Sequence, residues 1–348
     1  MAMSALEFGI VDGGTTFDYA RLEQTAQEIE AAGARFLGFG ESLTAGGDPY
    51  LCLAAAGRMT KKLQLGTAVI KPGSRHPALL ARTLLTLNSF TGGRAFLGIG
   101  TGLFLSSGRS RLQAFEDYCL AVKGLIAGET VTYEGETLQL KAAGAPAQIP
   151  LWVAAEGPRT LELAGRIADA VMVENGAMPS VVDYVRRHVA IGAKAAGRSI
   201  DDIEIWYMVR MRVDESVDAA FGAPGIAAYG ASFVSEAWRV VRPGEGDPVE
   251  QLRRKKGIII SADIAKRLEA FSNEAVPEFF SPLNIDLLDK HGLREWITQT
   301  YFAFGPRDDV VARVQALADA GATKFMVPNF VPRSVKDVAD VISRVTQR

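Results

Sequence analysis

The chain has 348 residues, 48% of them apolar and 22% charged, enough to bury a large core as one α/β barrel or as two smaller domains. A formal net charge of -2 supplies no electrostatic pull toward nucleic acid or an anionic membrane, so neither is expected as a partner. No run is apolar enough to span a bilayer, and the amino terminus lacks a basic and apolar signal region. With only Cys52 and Cys119, both inside helical patterns, the reading is a cytoplasmic protein with buried, reduced thiols.

Along the chain, short apolar runs alternate with segments of helical period. LEFGIV (6–11) predicts a strand, and in the helix after it (17–33) Leu22, Ala26, Ile29 and Ala32 share one face and Gly33 ends the segment. Strands follow at RFLGFGE (35–41), KLQLGTAVI (62–70) and RAFLGIG (94–100), separated by helices at 49–60 and 76–90. IPLWVAA (149–155), DAVMVEN (169–175), IEIWYMVRMRV (203–213) and TKFMVPNF (323–330) bring the strands to eight, with helices at 158–168, 179–197, 307–321 and 334–346. Strands that are apolar along their whole length imply parallel pairing covered on both faces. Eight of them predict a (β/α)8 TIM barrel, one domain spanning 1–348. Two insertions interrupt it. Residues 103–148 hold a helix near 111–127 and a hairpin turning at Glu134-Gly135. Residues 214–305 hold the loop RPGEGDP and the basic run Arg253-Arg254-Lys255-Lys256, read as a solvated charged face with contact to an anionic cofactor tail as the alternative.

Function in such a barrel lies where strands end. LGTAVIKPGSRHP (65–77) delivers Lys71, Ser74, Arg75 and His76 together at the end of strand three. GIGTG (98–102) has the wrong spacing for a dinucleotide fingerprint, and its glycines fit close approach of a flat ligand to the backbone. In AAEGPRTLELAG, Gly157 and Pro158 open a helix whose first amides, with Arg159 nearby, suit an anion; a plain β-to-α turn is the alternative. His76, His188 and His291 are far apart, with no HExxH or CxxC spacing and no GxSxG elbow, so no metal site is expected. Chemistry supplied by an organic cofactor is what remains.

The block GGDPYLCLAAAGRMTKKLQLGTAVIKPGSRHPALLARTLLTLNSFTGGRAFLGIGTG (46–102) resembles the signature region of the bacterial luciferase-like superfamily. It is most similar to the coenzyme F420-dependent reductases that include methylenetetrahydromethanopterin reductase. Segments 151–179 and 304–327 match the same family in order. The resemblance implies a TIM barrel with a non-proline cis peptide at Ala68-Val69, forming a bulge behind the cofactor ring. It implies that Gly100, Thr101 and Gly102 line the cofactor and that Ala155, Glu156, Gly157, Pro158 and Arg159 receive its phosphate. Asn175 and Gly176 would stand beside the ring or its ribityl chain. Glu41 and His76 are the candidate catalytic residues, Glu41 as a proton donor or acceptor where relatives often carry Asp. His76 has a helix-start role as its alternative. Leu103-Phe104-Leu105 replace the acidic residue that several relatives carry after strand four, and Ser42 stands where sugar-phosphate dehydrogenases carry histidine. The implied function is hydride transfer between coenzyme F420 and a small organic substrate. The alternatives are an FMN-dependent two-component monooxygenase served by a flavin reductase, a flavin-binding protein without catalysis, and an aldolase relying on Lys71. A homodimer is implied, with the helix at 76–90 suited to its interface.

Overall fold

The computed structural model describes residues 6–12, 18–41, 46–102, 111–141, 146–276 and 281–346. Eight parallel strands close into a barrel: β1 (Glu7–Asp12), β2 (Phe36–Phe39), β3 (Gln64–Thr67), β4 (Ala95–Gly100), β5 (Leu151–Ala154), β6 (Ala170–Val173), β7 (Glu204–Met208) and β8 (Lys324–Pro328). β8 closes onto β1 in a register running from Glu7 opposite Lys324 to Val11 opposite Pro328. The alternation of apolar runs and helical segments thus gives the fold it predicts.

Helices α1 (Tyr19–Ala31), α2 (Pro49–Met59), α3 (Pro77–Phe90), α4 (Arg111–Ile126), α5 (Pro158–Ile167) and α6 (Pro179–Ala195) follow β1 to β6 in turn. Four of the six begin at proline, whose missing N–H and fixed φ suit the first helical position. After β7 come α7 (Val217–Phe221), α8 (Ile226–Trp238), α9 (Pro248–Lys256), α10 (Ala262–Glu274), α11 (Ile285–Lys290) and α12 (Arg294–Tyr301). Then α13 (Arg307–Asp319), β8 and α14 (Val335–Arg344) complete the ring. Phe233, Leu252, Leu268 and Ile297 from the insertion belong to the same buried apolar cluster as the faces between barrel and helices. No helix among the described residues is long and apolar enough to cross a membrane.

The predicted seventh strand is in fact two. The Val209 amide still donates to the Met326 carbonyl, but Arg210–Val213 then leaves the barrel and pairs in parallel with Phe302–Gly305 at the far end of the insertion. Apolar character runs unbroken only through 205–209, but the inward spacing Trp206, Met208, Arg210 continues past it, so periodicity could not mark the exit. The hairpin is as expected, Val131–Tyr133 against Glu136–Leu138, with positive φ at Glu134 (51°) and Gly135 (85°), the backbone of a type I′ turn.

Inside the barrel, Phe36, Phe96, Trp152, Trp206, Met172, Met208 and Met326 form a separate buried cluster. Trp152 stacks on Phe96 at 4.1 Å and on Trp206 at 5.6 Å between centroids, and the Phe36 ring stands edge-on to all three. Side chains of successive strand residues point to opposite faces. Trp152 and Ala154, Ala170 and Met172, and Trp206 and Met208 therefore point inward, and the residues between them pack outward against helices.

Candidate active site

Above the aromatic floor the barrel wall is built in two ways. On β2, β3 and β4 the inward positions carry almost no side chain: Gly38 and Gly40, Gly66 and Ala68, Gly98 and Gly100. The Ala68-Val69 peptide is cis, at the position the family resemblance implies. Ala68 and Val69 are both partly open, and the Glu41 amide donates to the Val69 carbonyl at 3.1 Å. A Cβ on Gly40 would meet only backbone, Ala68 O at 3.4 Å, and one on Gly100 would sit 3.3 Å from Ala154 Cβ and Val69 Cγ2. The result is a shelf of backbone from Gly40 through Ala68-Val69 to Gly100, with Glu41, Thr101 and Gly102 at its rim. The space that side chains would fill is left for a flat group.

The polar residues that close strand three turn out to build this shelf's support. Ser74 Oγ donates to Lys71 O at 2.9 Å. The Arg75 guanidinium lies 4.3 Å from the Tyr50 ring centroid and bonds the Asp48 carboxylate at 3.0 Å, while Tyr118 Oη donates to Arg75 O at 2.7 Å. His76 is exposed and occupies the cap of α3, its Nδ1 accepting from the Ala78 amide at 3.3 Å. The helix-start role is what the geometry gives His76. Ser42 and Leu103-Phe104-Leu105 lie outside the described residues.

On β5, β6 and β7 the wall carries charge. Glu156 and Glu174 fall two residues beyond Ala154 and Met172, which are register partners, and Arg210 falls two beyond Met208. The Glu156 carboxylate accepts from Lys256 Nζ at 2.6 Å, and that lysine side chain is only 4% exposed. Burial works to raise the Glu156 pKa, but the Lys256 charge and hydrogen bond, with Arg239 and Arg210, hold it below the ordinary carboxylate value. Glu174 is paired with Arg210 and shifts the other way: burial raises it, Arg210 opposes, and the negative charge of Glu156 adds to the rise. Neighbouring acids driven apart in this way are a recurrent arrangement for acid and base work.

The basic run on α9 therefore divides. Arg253 and Arg254 are exposed, as a solvated face requires, but Lys255 bonds Val240 O, Glu245 and Gln251, and Lys256 is buried against Glu156. The expectation of a solvated face fails for Lys256 because its partner lies a hundred residues away and is invisible to local pattern. Asn175 locks the junction. It is fully buried, and its Nδ2 donates to Glu156 O at 2.8 Å and Lys256 O at 3.0 Å. Gly176, at φ 140°, lets the backbone close on the insertion, where a Cβ would stand 2.9 Å from Thr300 O. Both residues thus serve first to bind the insertion to the barrel. Of the segment 155–159, Ala155 is buried with its amide on Met172 O, whereas Gly157 and Pro158 are partly open and Arg159 is exposed. Gly157 caps α5 without a side-chain bond, and first-turn amides lack intrahelical acceptors, so this end keeps its capacity for an anion. Cys52 and Cys119 are free and buried, and no metal-holding group of three or more His, Cys, Asp or Glu occurs among the described residues.

Both the sequence and the fold have known relatives. A 5,10-methylenetetrahydromethanopterin reductase of Methanolobus tindarius is 27% identical over 288 residues, covering 80% of this chain and 81% of that one. An F420-dependent glucose-6-phosphate dehydrogenase of Nakamurella multipartita is 33% identical over 181 residues, 48% of this chain and 53% of that one. The structure of the coenzyme F420 dependent tetrahydromethanopterin reductase from Methanopyrus kandleri aligns over 99% of both chains with a TM-score of 0.74 and 22% identity. The family model described as luciferase-like monooxygenase matches residues 3–324, and this chain belongs to that family.

Proposed function

We propose that this protein is an oxidoreductase that uses coenzyme F420 to move a hydride to or from a small organic substrate. The observation that carries the reading is the bare shelf of Gly40, Ala68, Val69 and Gly100, which fits a flat ring approached on one face, with an open helix end at Gly157–Arg159 for an anionic tail. The activities for which the reductase and dehydrogenase relatives are named support the cofactor. When bound, the deazaflavin supplies the hydride. The chain's own part is to hold ring and substrate in register, to keep water away beneath the insertion, and to exchange one proton. Glu41, tied to the shelf through its amide, would line the ring edge. Gly157, Pro158 and Arg159 hold the phosphate, while Lys256 keeps the adjacent Glu156 from repelling it. The alternative, an FMN-dependent monooxygenase working with a flavin reductase, draws support from the family's own description.

Fluorescence titration of the apo-protein with F420 and with FMN decides between them. Tight binding of F420 with weak FMN binding supports the reductase reading and opens a substrate screen by loss of deazaflavin absorbance. Preference for FMN selects the oxygenase, and binding of neither removes both. We also take the protein to act as a cytoplasmic homodimer through the groove of about 520 Å³ between α2 and α3, where Leu51, Leu79 and Phe90 are more than half exposed. Leu79→Asp should then halve the mass measured by sedimentation; an unchanged mass would discard that interface.

A further inference from the structure

The charged wall contains a carboxylate that the family resemblance does not single out. Glu174 follows β6 at the next inward position after Ala170 and Met172, so it crowns the barrel interior. Its side chain is 43% exposed, whereas the Arg210 side chain that binds it is 0% exposed. The guanidinium is enclosed by rings: Phe233 lies 3.8 Å from its carbon by centroid, Tyr229 5.2 Å, and Tyr301 and Phe302 5.9 Å each. Arg210 Nε donates to Tyr229 Oη at 2.8 Å, and Nη1 is buried without a partner among the described residues. A cation so shut away from water cannot relax toward other anions. It fixes the Glu174 carboxyl group in one orientation, with the remaining edge of the acid open.

Position matters as much as orientation. In the strand order of the closed barrel, β6 stands four places from β2, on the opposite wall. Glu174 thus faces the shelf from the side away from Glu41, where a substrate lying on a ring would present its other face. The groups around it come from every neighbouring element: Arg210 beyond β7, Glu156 beyond β5, Lys256 on α9, Glu236 and Tyr229 on α8, and Tyr301 on α12. Burial and Glu156 favour its protonated form, and Arg210 and Lys256 oppose.

We propose that Glu174 is the catalytic carboxyl group that exchanges the substrate proton, with Arg210 as its positioning residue. The proposal rests on the hydride-transfer reading above and narrows the substrate to a carbonyl–alcohol or imine–amine pair. In the reductive direction the unsaturated carbon gains a hydride from the reduced deazaflavin, which is oxidised. The substrate oxygen or nitrogen takes the carboxyl proton of Glu174. One O–H bond of the acid breaks as one X–H bond of the product forms, and the carboxylate is left against Arg210. The oxidative direction returns the proton to Glu174 and the hydride to the oxidised cofactor.

The test uses the full chain with Glu174→Gln, Glu174→Asp as a second variant should the amide misfold, and Arg210→Lys. Infrared difference spectra of the wild type, with and without F420, are expected to contain a protonated-carboxyl band that persists above the ordinary carboxylate range and shifts when F420 binds. Glu174→Gln should remove it while F420 affinity by fluorescence stays within about threefold, a change worth well under 1 kcal/mol. Glu174→Asp should move it, and Arg210→Lys should displace its titration. With a substrate from the screen, Glu174→Gln should lower kcat by roughly 10²–10⁴-fold with little change in KM and abolish the alkaline limb of the pH profile. A merely structural ion pair would give an ionised carboxylate, no band, and an unchanged limb; that result overturns the proposal. Failure of the wild type to bind F420 would instead sink the hydride-transfer reading itself, and with it the proton role.

Discussion

The two halves of the barrel wall meet the same mouth with opposite chemistry. Above Phe36 and Phe96 the inward positions from β2 to β4 are Gly or Ala, and the surface offered is backbone; from β5 to β7 they are Trp, Met and Ala below and Glu156, Glu174 and Arg210 above. The first half sets shape and the second sets charge. A flat cofactor needs a wall that does not push back, and only residues without side chains let two strands and a ring come so close. Proton transfer needs the reverse, ionisable groups held by partners that water does not reach. Dividing the tasks between opposite walls lets each be tuned without spoiling the other.

That division can be broken from either side. The largest effect is expected deep in the bare half. A Cβ on Gly98 would stand 1.8 Å from Thr67 O, between strands that also share the Thr67 hydroxyl bonds to Gly98 at 2.7 and 3.1 Å. Gly98→Ala should cost about 3 kcal/mol or more, since neither backbone can move aside, and should show as a large drop in the denaturant midpoint. Next comes the charged half. Lys256→Met leaves Glu156 without its buried cation and should cost about 3 kcal/mol, the lower end for a broken buried pair because Glu156 is partly open. The sign of its pH dependence follows from the lowered Glu156 pKa. The pair's stabilisation is present above the ordinary carboxylate range and is lost as pH falls through the lowered value, so wild type and variant should converge in acid unfolding curves.

Gly100→Ala sharpens the contrast. Its new methyl would stand 3.3 Å from Ala154 Cβ and Val69 Cγ2, tighter than an ordinary contact, so folding should lose about 1 kcal/mol, whereas a ring on the shelf would lose about 1–3 kcal/mol, roughly tenfold or more in affinity. Equal F420 affinity in wild type and variant would show that the ring does not rest there. The smallest effect belongs to the support. His76→Ala removes the α3 cap and should cost about 1 kcal/mol in thermal unfolding with cofactor affinity unchanged. Collapse of turnover without loss of stability would return His76 to the chemistry.

Much of the frame could be read in advance because parallel strands buried on both faces are apolar throughout and proline punctuates the helices. His76 before Pro77 announced a helix start by purely local chemistry. Where the chain's partners are remote, local pattern fell silent. Arg210 sat in what read as one strand, although its spacing from Trp206 and Met208 already put it on their side. Lys256 looked like its exposed neighbours Arg253 and Arg254, and only folding brings Glu156 to it. Glu174 stood in view at the end of β6, but a carboxylate there gains meaning only from a guanidinium sealed behind it. The cis bond at Ala68-Val69 followed from family likeness and from nothing in the composition of the strand.

The aromatic floor has a practical consequence. The planes of Trp152 and Trp206 lie 18° from parallel with their centroids 5.6 Å apart, both rings buried in the barrel beneath the shelf. Any chromophore seated above them whose absorption overlaps indole emission becomes an efficient energy acceptor. The protein therefore carries its own optical gauge of occupancy: ultraviolet excitation of its four tryptophans should show a component, from these two indoles, that loses lifetime as the shelf fills, with no label attached.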